Sequence, residues 1–165
     1  MTPELPDPEI LCAALVQQLK PHVTADTALV GVHTGGVWLA ERLHSALGIS
    51  LPLGLLDISF YRDDFDKAGL HPQIKPTQIP FDVDGRHIVL VDDVLYTGRT
   101  VRGAMNELFD YGRPASISLA VLIDRGGREL PVAAQYVGAK LEIQSGRMLV
   151  LDRDEYGKLR LKFDA

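Results

Sequence analysis

The chain has 165 residues, a net charge of −5 and 46% hydrophobic residues, which excludes a fibrous or low-complexity protein and disfavours disorder. Its length predicts a single domain over residues 1–165 that can bury a hydrophobic core. One cysteine, Cys12, excludes an internal disulfide and a cysteine-rich zinc module, so we expect an intracellular, cytoplasmic protein. The apolar runs are too short for a membrane span, and the acidic N-terminal residues do not match a secretory signal.

The first half of the chain predicts alternating helices and strands. A helix begins at Asp7-Pro8, follows apolar residues at helical spacing and ends before Pro21. Residues 28–33 are short and β-branched, which predicts a buried strand. The segment Thr34-Gly35-Gly36 then predicts a turn, and the next helix ends at Gly48. A second strand is predicted over residues 53–61.

The second half continues the alternation. A strand over residues 87–91 looks buried on both faces, and Val101 to Phe109 follow helical spacing with Gly112 as the expected cap. Residues 115–123 predict a fourth strand. Short strands are also expected around Tyr136, over 148–151 and over 159–163. Strands that alternate with helices predict βαβ units and a parallel sheet.

One segment carries most of the functional signal. Residues 88–100 read Ile-Val-Leu-Val-Asp-Asp-Val-Leu-Tyr-Thr-Gly-Arg-Thr, a buried strand followed by two carboxylates and a short loop into a helix. In open α/β sheets, ligands bind beyond the carboxyl ends of the strands, where loop N–H groups and a helix N-terminus favour phosphate. The segment lacks the glycine-lysine pattern of a P-loop, which excludes that nucleotide site.

The residue types in this segment suit a phosphorylated sugar. Residues 97–100 offer two threonine hydroxyls, a glycine that allows close backbone approach and an arginine cation. Asp92 and Asp93 can accept hydrogen bonds from neighbouring hydroxyls or help to hold a divalent ion. An anion site beside a diol site fits a ribose 5-phosphate. The alternative is a strand, a turn and an N-capped helix whose carboxylates are merely solvated.

Four blocks, in order along the chain, carry a family resemblance. They are Asp-Ile-Ser-Phe-Tyr-Arg-Asp-Asp at 57–64, the segment at 88–100, Asp-Tyr-Gly-Arg-Pro at 110–114 and Leu-Ile-Asp-Arg-Gly-Gly-Arg-Glu-Leu-Pro at 122–131. The chain resembles the type I phosphoribosyltransferases, and more narrowly the PyrR family of bifunctional pyrimidine attenuation regulators with uracil phosphoribosyltransferase activity. The resemblance implies an α/β fold with a central parallel sheet flanked by helices, a small hood and a flexible lid loop. It also implies that phosphoribosyl pyrophosphate (PRPP) binds with Mg²⁺.

The resemblance also implies a role for each site residue. Asp92 and Asp93 hold the ribose hydroxyls, bind the metal indirectly through substrate or water, and are catalytic together with Arg62. Thr34, Gly35 and Gly36 face the pyrophosphate, while Asp124 and Arg125 lie near the base and the metal. The residues implied to bind PRPP and its 5-phosphate are Val94, Leu95, Tyr96, Thr97, Gly98, Arg99 and Thr100.

Three features bear on the reaction. Residues 62–80 lack apolar patterning, and a loop of this length favours a lid that excludes water over an ordinary surface loop. Tyr96 replaces an acid of the similar purine enzymes and is a poor base at neutral pH, which favours uracil unless it only packs the loop. Gly35 replaces the arginine that many family members carry in Lys-Thr-Arg-Gly. We expect weaker PRPP binding unless Arg62 or Arg99 compensates.

Three functions stay open: a uracil phosphoribosyltransferase that forms UMP and pyrophosphate, an RNA-binding regulator that responds to UMP or UTP with little catalysis, and a non-catalytic nucleotide sensor. Family regulators bind messenger RNA through basic groups, yet residues 9–20 contain one basic residue, Lys20, and Gly127 stands where regulators tend to carry histidine. We therefore expect catalysis with PRPP, uracil and UMP, and an mRNA leader as a lesser partner. Surface arginines are expected at 125, 128, 147 and 153. The apolar first helix and the resemblance predict a homodimer or larger homo-oligomer.

Overall fold

Helices and strands alternate along most of the chain, as the sequence predicts. The computed structural model describes residues 4–58 and 77–164. Helix α1 begins at Pro8 because the Asp7 side chain accepts a hydrogen bond from the Glu9 N–H, and a 3-10 turn at Lys20–His22 follows it. The elements are α1 (Pro8–Leu19), β1 (Thr27–Val32), α2 (Gly35–Leu47), β2 (Gly54–Leu56), β3 (His87–Leu95), α3 (Arg99–Phe109), β4 (Ser116–Asp124), β5 (Tyr136–Lys140), β6 (Met148–Arg153) and β7 (Leu159–Asp164).

Five strands form a central parallel sheet in the order β2-β1-β3-β4-β5. Alternate residues of the central strands face two separate hydrophobic cores, because successive side chains in a strand point to opposite faces. Helices α1 and α2 cover one face, where Leu15 and Leu43 pack with Val89 of β3. Helix α3 covers the other face, where Leu108 packs with Leu90. The predicted fold class, a parallel sheet flanked by helices, is confirmed.

The C-terminal strands divide between two sheets. Strand β5 pairs with β4 at the edge of the central sheet, whereas β6 and β7 form an antiparallel hairpin. Leu149, Leu151 and Leu159 of the hairpin join the core under α1 and α2. The predicted short strands are therefore confirmed, and burial of these leucines explains why the hairpin packs on that face.

Three predicted boundaries differ from the structure. Strand β3 continues to Leu95 instead of ending at Val91, because β4 is long enough to pair with it that far. Strand β2 ends at Leu56, and residues 59–61 of the longer predicted strand lie outside the described residues. Helix α3 ends at Phe109, before the expected cap at Gly112, because the Asp110 N–H already bonds back to carbonyls of the last turn.

The predicted lid falls largely outside the described residues. Arg62 and the rest of 62–76 are not part of them, whereas Gln78 pairs with Leu55 of β2 through two backbone hydrogen bonds. Cys12 is buried, as its apolar surroundings predict, and burial raises the pKa of its thiol. Within 4–58 and 77–164, none of the helices has the length and apolar character that crossing a bilayer requires.

Candidate active site

Three of the predicted site segments meet at one edge of the central sheet. Parallel pairing aligns Gly31 with Val91 and Leu95 with Asp124, so the carboxyl ends of β1, β3 and β4 lie side by side. The turn after β1, the loop after β3 and the loop after β4 follow these ends. The topology thus brings together residues as far apart in the sequence as Thr34 and Arg125, as expected for an open α/β sheet.

The paired aspartates lie inside strand β3, which continues past the end that the sequence predicts for it. Asp92 is 6% exposed and Asp93 is half-buried. Oδ1 of Asp92 accepts a hydrogen bond from the Asp93 N–H at 2.9 Å, and Oδ1 of Asp93 accepts one from the Val94 N–H at 2.9 Å. These local bonds hold both carboxylates at the edge of the sheet, where their oxygens can accept from a bound diol.

The predicted pyrophosphate turn lies directly against these carboxylates. Helix α2 begins at Gly35, so Gly35 and Gly36 form its first turn, and the peptide bond between His33 and Thr34 is cis. A Cβ atom at Gly36 would lie 2.5 Å from the Val91 carbonyl oxygen and 3.3 Å from Oδ1 of Asp92. Glycine therefore allows the positive end of α2 to approach the paired aspartates closely.

The loop after β3 presents its backbone amides in one orientation. The Leu95 carbonyl accepts from the Arg125 N–H at 3.1 Å, and the Thr97 carbonyl accepts from Glu129 and Leu130 at 2.9 and 3.1 Å. Between them, the Tyr96 carbonyl accepts from Nη1 of Arg128 at 2.8 Å.

These carbonyl contacts fix where the neighbouring N–H groups point. In a trans peptide, the N–H of one residue points opposite to the carbonyl of the residue before it. Among the described residues, the cis peptide is the one at His33–Thr34, so the loop peptides are trans. The N–H groups of Tyr96, Thr97 and Gly98 therefore point away from the segment 125–130. Successive amides that share a direction form a concave anion site of the kind that binds phosphate.

Gly98 completes this loop at the start of helix α3. Its φ of 97° lies in the left-handed region that favours glycine, and a Cβ there would lie 2.5 Å from Cγ2 of Val132. The buried Thr97 accepts a hydrogen bond from the Arg99 N–H through Oγ1 at 3.2 Å. The Arg99 side chain forms an exposed ion pair with Glu129 at 2.9 Å, which contributes little stability.

The two residues predicted near the base make several contacts within the protein. Asp124 accepts from Nη2 of Arg128 at 2.6 Å and from the Gly126 N–H at 3.0 Å. Burial raises the pKa of Asp124, but the hydrogen bonds and charge of Arg128 and the Gly126 amide outweigh it, so the pKa lies below its usual value. The carboxylate is therefore ionised at neutral pH.

Arg125 is 4% exposed, and its guanidinium lies between the Tyr96 ring and the backbone of residues 144–147. It donates to the carbonyls of Arg147 and Gln144 at 2.5 and 3.2 Å, and its Cζ lies 4.0 Å from the centre of the Tyr96 ring. Burial lowers the pKa of Arg125, although the guanidinium stays charged. Its Nε is buried and has no hydrogen-bond partner among the described residues.

The expectation of solvated surface arginines is wrong for the two nearest to the site. Arg125 is buried, and Arg128 is 25% exposed with three acceptors around its guanidinium. Arg147 and Arg153 instead stack over the rings of Phe163 and Trp38. Composition alone does not separate these cases, because two of the three partners of Arg128 are backbone carbonyls that no side-chain pattern reveals.

The side chains of the site can be compared with the ligands that Mg²⁺ prefers. Residues 4–58 and 77–164 contain no group of three or more His, Cys, Asp or Glu side chains that could hold a metal ion. Mg²⁺ prefers oxygen ligands and is commonly held by one or two carboxylates together with waters and substrate phosphates. Asp92 and Asp93 fit that pattern, with the ion shared between the protein and a phosphorylated substrate.

Known proteins match most of the chain. The profile of the phosphoribosyl transferase domain matches residues 4–147. Bifunctional protein PyrR from Nitrosococcus oceani is 54% identical over 143 residues, which are 86% of this chain and 81% of that protein. Bifunctional protein PyrR from Pseudomonas paraeruginosa is 51% identical over 160 residues, which are 94% of this chain and 89% of that protein.

Solved structures agree with these sequence matches. The purine phosphoribosyltransferase from Pyrococcus horikoshii has a TM-score of 0.62 and 28% identity, covering 82% of this chain and 83% of that one. A hypoxanthine-guanine phosphoribosyltransferase from Bacillus anthracis shares the fold, with a TM-score of 0.67, 18% identity and coverage of 87% and 86%. The domain match and the identity to the PyrR proteins together show that the chain belongs to the phosphoribosyltransferase family and, within it, to the PyrR proteins.

Proposed function

We propose that the chain is a uracil phosphoribosyltransferase, a glycosyltransferase that forms UMP and pyrophosphate from uracil and PRPP. The observation that carries this proposal is the oriented amide loop at 95–98 beside the carboxylates of Asp92 and Asp93. An anion site next to two hydroxyl acceptors matches the 5-phosphate and the diol of a ribose 5-phosphate. Membership of the PyrR proteins supports uracil as the base.

Each part of the site has a task in binding PRPP. The amides of residues 96–98 and the hydroxyls of Thr97 and Thr100 bind the 5-phosphate. Asp92 and Asp93 accept hydrogen bonds from the ribose hydroxyls. The turn at 34–36 binds the pyrophosphate, because it lies at the N-terminus of α2, and a helix N-terminus carries partial positive charge that favours anions.

The reaction exchanges one bond at C1 of the ribose. The bond from C1 to the pyrophosphate oxygen breaks, a bond from C1 to N1 of uracil forms, and the N1 proton passes to the departing pyrophosphate or to water. Positive charge develops on the ribose in the transition state, and the nearby carboxylates of Asp92 and Asp93 stabilise it. The N–H groups at the start of α2 stabilise the charge on the departing pyrophosphate. Asp92 and Asp93 would hold Mg²⁺ through substrate or water, and the bound ion would neutralise part of the phosphate charge.

Tyr96 supports uracil over a purine. The similar purine enzymes carry an acid at this position, whereas Tyr96 offers an aromatic ring that stacks against the Arg125 guanidinium. A hydroxyl accepts a proton far less readily than a carboxylate does. Position 96 therefore does not supply a carboxylate that would receive a proton from a purine ring.

Release of pyrophosphate tests the proposal directly. The purified chain is incubated with PRPP and Mg²⁺, and pyrophosphate is measured with uracil, with hypoxanthine and without a base. We expect release that depends on uracil. Release with hypoxanthine alone would assign the chain to purines, and binding of UMP without any turnover would identify a nucleotide sensor instead.

Regulation by RNA binding is the second candidate, because the curated relatives carry the name bifunctional. Helix α1 has no basic residue in its last turn, and Glu9 in its first turn is acidic. A mobility shift with pyrimidine-operon leader RNA, with and without UMP at stated salt, tests this function. A shift that UMP strengthens would support regulation, and no shift at low salt would exclude it.

We also propose that the chain forms a homodimer or larger homo-oligomer in the cytoplasm. Ile10 on the outer side of α1 is 67% exposed, which leaves an apolar side chain for a subunit contact. Light scattering of the purified chain measures the mass in solution. A monomeric mass at micromolar concentration would contradict this part of the proposal.

A further inference from the structure

We propose that Arg128 is a positioning residue for residues 95–98, which we call the 5-phosphate loop. It holds the backbone amides of this loop in their binding orientation. This role rests on the proposed phosphoribosyl transfer and adds a residue that the sequence does not assign to the site. Arg128 lies after β4, beside the predicted base-binding residues, yet its guanidinium reaches the loop after β3. It acts through the Tyr96 backbone rather than by touching the substrate.

Each of the three nitrogens of the Arg128 guanidinium donates one hydrogen bond. Nη1 donates to the Tyr96 carbonyl at 2.8 Å, Nη2 donates to Oδ2 of Asp124 at 2.6 Å, and Nε donates to the Val132 carbonyl at 3.1 Å. A planar guanidinium presents these donors in a rigid fork. Arg128 therefore joins the end of β4, the following loop and the 5-phosphate loop at one point.

The contact with Tyr96 is the one that affects phosphate binding. The Tyr96 carbonyl and the Thr97 N–H belong to the same planar peptide unit, so fixing the carbonyl fixes the direction of the N–H. The peptide units on either side are held by backbone donors of Arg125, Glu129 and Leu130. The Leu95 and Thr97 carbonyls are thus held by backbone N–H groups, whereas the Tyr96 carbonyl between them is held by the Arg128 side chain. The orientation of this middle peptide therefore depends on Arg128.

Asp124 holds the Arg128 guanidinium in place through a hydrogen-bonded ion pair. Its carboxylate is ionised and accepts from both Arg128 and the Gly126 amide, so the guanidinium is held on the β4 side. Because Asp124 is paired with Leu95 across the sheet, the anchor and the loop belong to the same rigid edge. A merely structural arginine would stabilise this edge without any selective effect on ligands that carry a 5-phosphate.

The experiment compares Arg128→Gln with Arg128→Lys and with a matched control, Arg86→Gln. Arg86 precedes β3 at the opposite edge of the sheet, where it forms an ion pair with Asp26 at 2.8 Å and donates to the Asp82 carbonyl at 3.1 Å. Its side chain is 29% exposed, close to the 25% of Arg128. Both glutamine substitutions therefore remove one ion pair and at least one carbonyl contact, but only one of them lies beside the 5-phosphate loop.

Three measurements separate positioning from stability. Calorimetry gives the affinities for UMP and for pyrophosphate, steady-state assays give KM for PRPP and kcat, and thermal unfolding gives Tm. We expect Arg128→Gln to lower the affinity for UMP and to raise KM for PRPP, each by about tenfold or more, since small displacements in a binding geometry have large effects. Pyrophosphate affinity should stay within about twofold of the unsubstituted chain, and Arg128→Lys should recover part of the UMP affinity.

The outcomes are distinct. If Arg128→Gln and Arg86→Gln lower Tm alike and leave UMP affinity unchanged, Arg128 is structural and the inference is wrong. An equal loss of UMP and pyrophosphate affinity would also overturn it, because that pattern indicates general damage to the site. If the unsubstituted chain neither turns over uracil nor binds UMP, the proposed function fails first, whatever the variants do.

Discussion

Gly35 lies directly against Asp93: a Cβ atom added at Gly35 would overlap Oδ2 of the aspartate. Many proteins that resemble this chain carry an arginine at the position of Gly35. Here the space in which such a side chain would begin is taken by the carboxylate, so the turn after β1 and the carboxylates of β3 approach closely. A side chain at position 35 therefore requires the Asp93 carboxylate to move.

This contact predicts different results for the two glycines of the turn. In Gly35→Ala, the new methyl group meets the end of the Asp93 side chain, which can rotate away. We therefore expect little change in Tm but a clear loss of uracil-dependent pyrophosphate release. In Gly36→Ala, the methyl group would lie 2.5 Å from the Val91 carbonyl oxygen and 3.0 Å from Cα of Asp92, which are backbone atoms of a central strand.

Gly36→Ala should therefore destabilise the fold by about 1–3 kcal/mol, as expected for overpacking at a rigid site. Urea unfolding measures the free energy, and the pyrophosphate assay measures activity for both variants. An unchanged free energy of unfolding in Gly36→Ala, or full activity in Gly35→Ala, would show that the turn adapts more easily than its contacts indicate.

Asp93→Asn should reduce uracil-dependent pyrophosphate release by about a hundredfold, because the amide removes a negative charge that faces the cationic ribose. The Val94 N–H can still bond to the amide oxygen, so the strand should keep its stability. Asp110→Asn is a matched control, since Asp110 is exposed at the end of α3, away from the sheet edge. Equal rates in Asp93→Asn and Asp110→Asn would show that the Asp93 charge does not contribute to the reaction.

The sequence predicts the strands and the paired aspartates of this site better than the hydrogen bonds between its segments. Periodicity and the motif at 88–100 identify the strands and the paired aspartates, because burial imposes regular spacing on side chains. The same signals give no sign that β3 continues through Asp92 and Asp93, which depends on the length of β4. They also miss Arg128, since its acceptors include the Tyr96 and Val132 carbonyls and every residue has a carbonyl.

Tyr96 should contribute through its ring rather than its hydroxyl. Its ring stacks on the Arg125 guanidinium, with Cζ 4.0 Å from the ring centre, and such contacts are worth about 0.5–2 kcal/mol. Tyr96→Phe keeps the ring and should retain uracil turnover within about threefold, which is about 0.65 kcal/mol and lies at the low end of that energy range. Tyr96→Leu removes the stacking surface and should raise KM for PRPP. If Tyr96→Phe were as impaired as Tyr96→Leu, the hydroxyl would be the functional group.

The Glu9–Arg42 ion pair predicts how stability depends on pH. Glu9 accepts two hydrogen bonds from Arg42 at 2.7 and 2.9 Å and one from the Leu159 N–H at 3.2 Å, so it joins α1, α2 and β7. The hydrogen bonds from Arg42 lower the pKa of Glu9 below its usual value of 4.5, against the opposing effect of burial.

Because the folded chain holds this carboxylate at a lower pKa than the unfolded chain, its contribution is present above the unfolded pKa. It is lost as pH falls through the lower, folded pKa. The pair is partly exposed, with side-chain exposures of 39% for Arg42 and 31% for Glu9, so the contribution is about 1 kcal/mol or less. Urea unfolding of the chain and of Glu9→Gln, from about pH 7 down to about pH 3, measures it. We expect the two free energies to differ at neutral pH and to converge in acid, and a constant difference across the series would show that the charge of Glu9 is not what stabilises this junction.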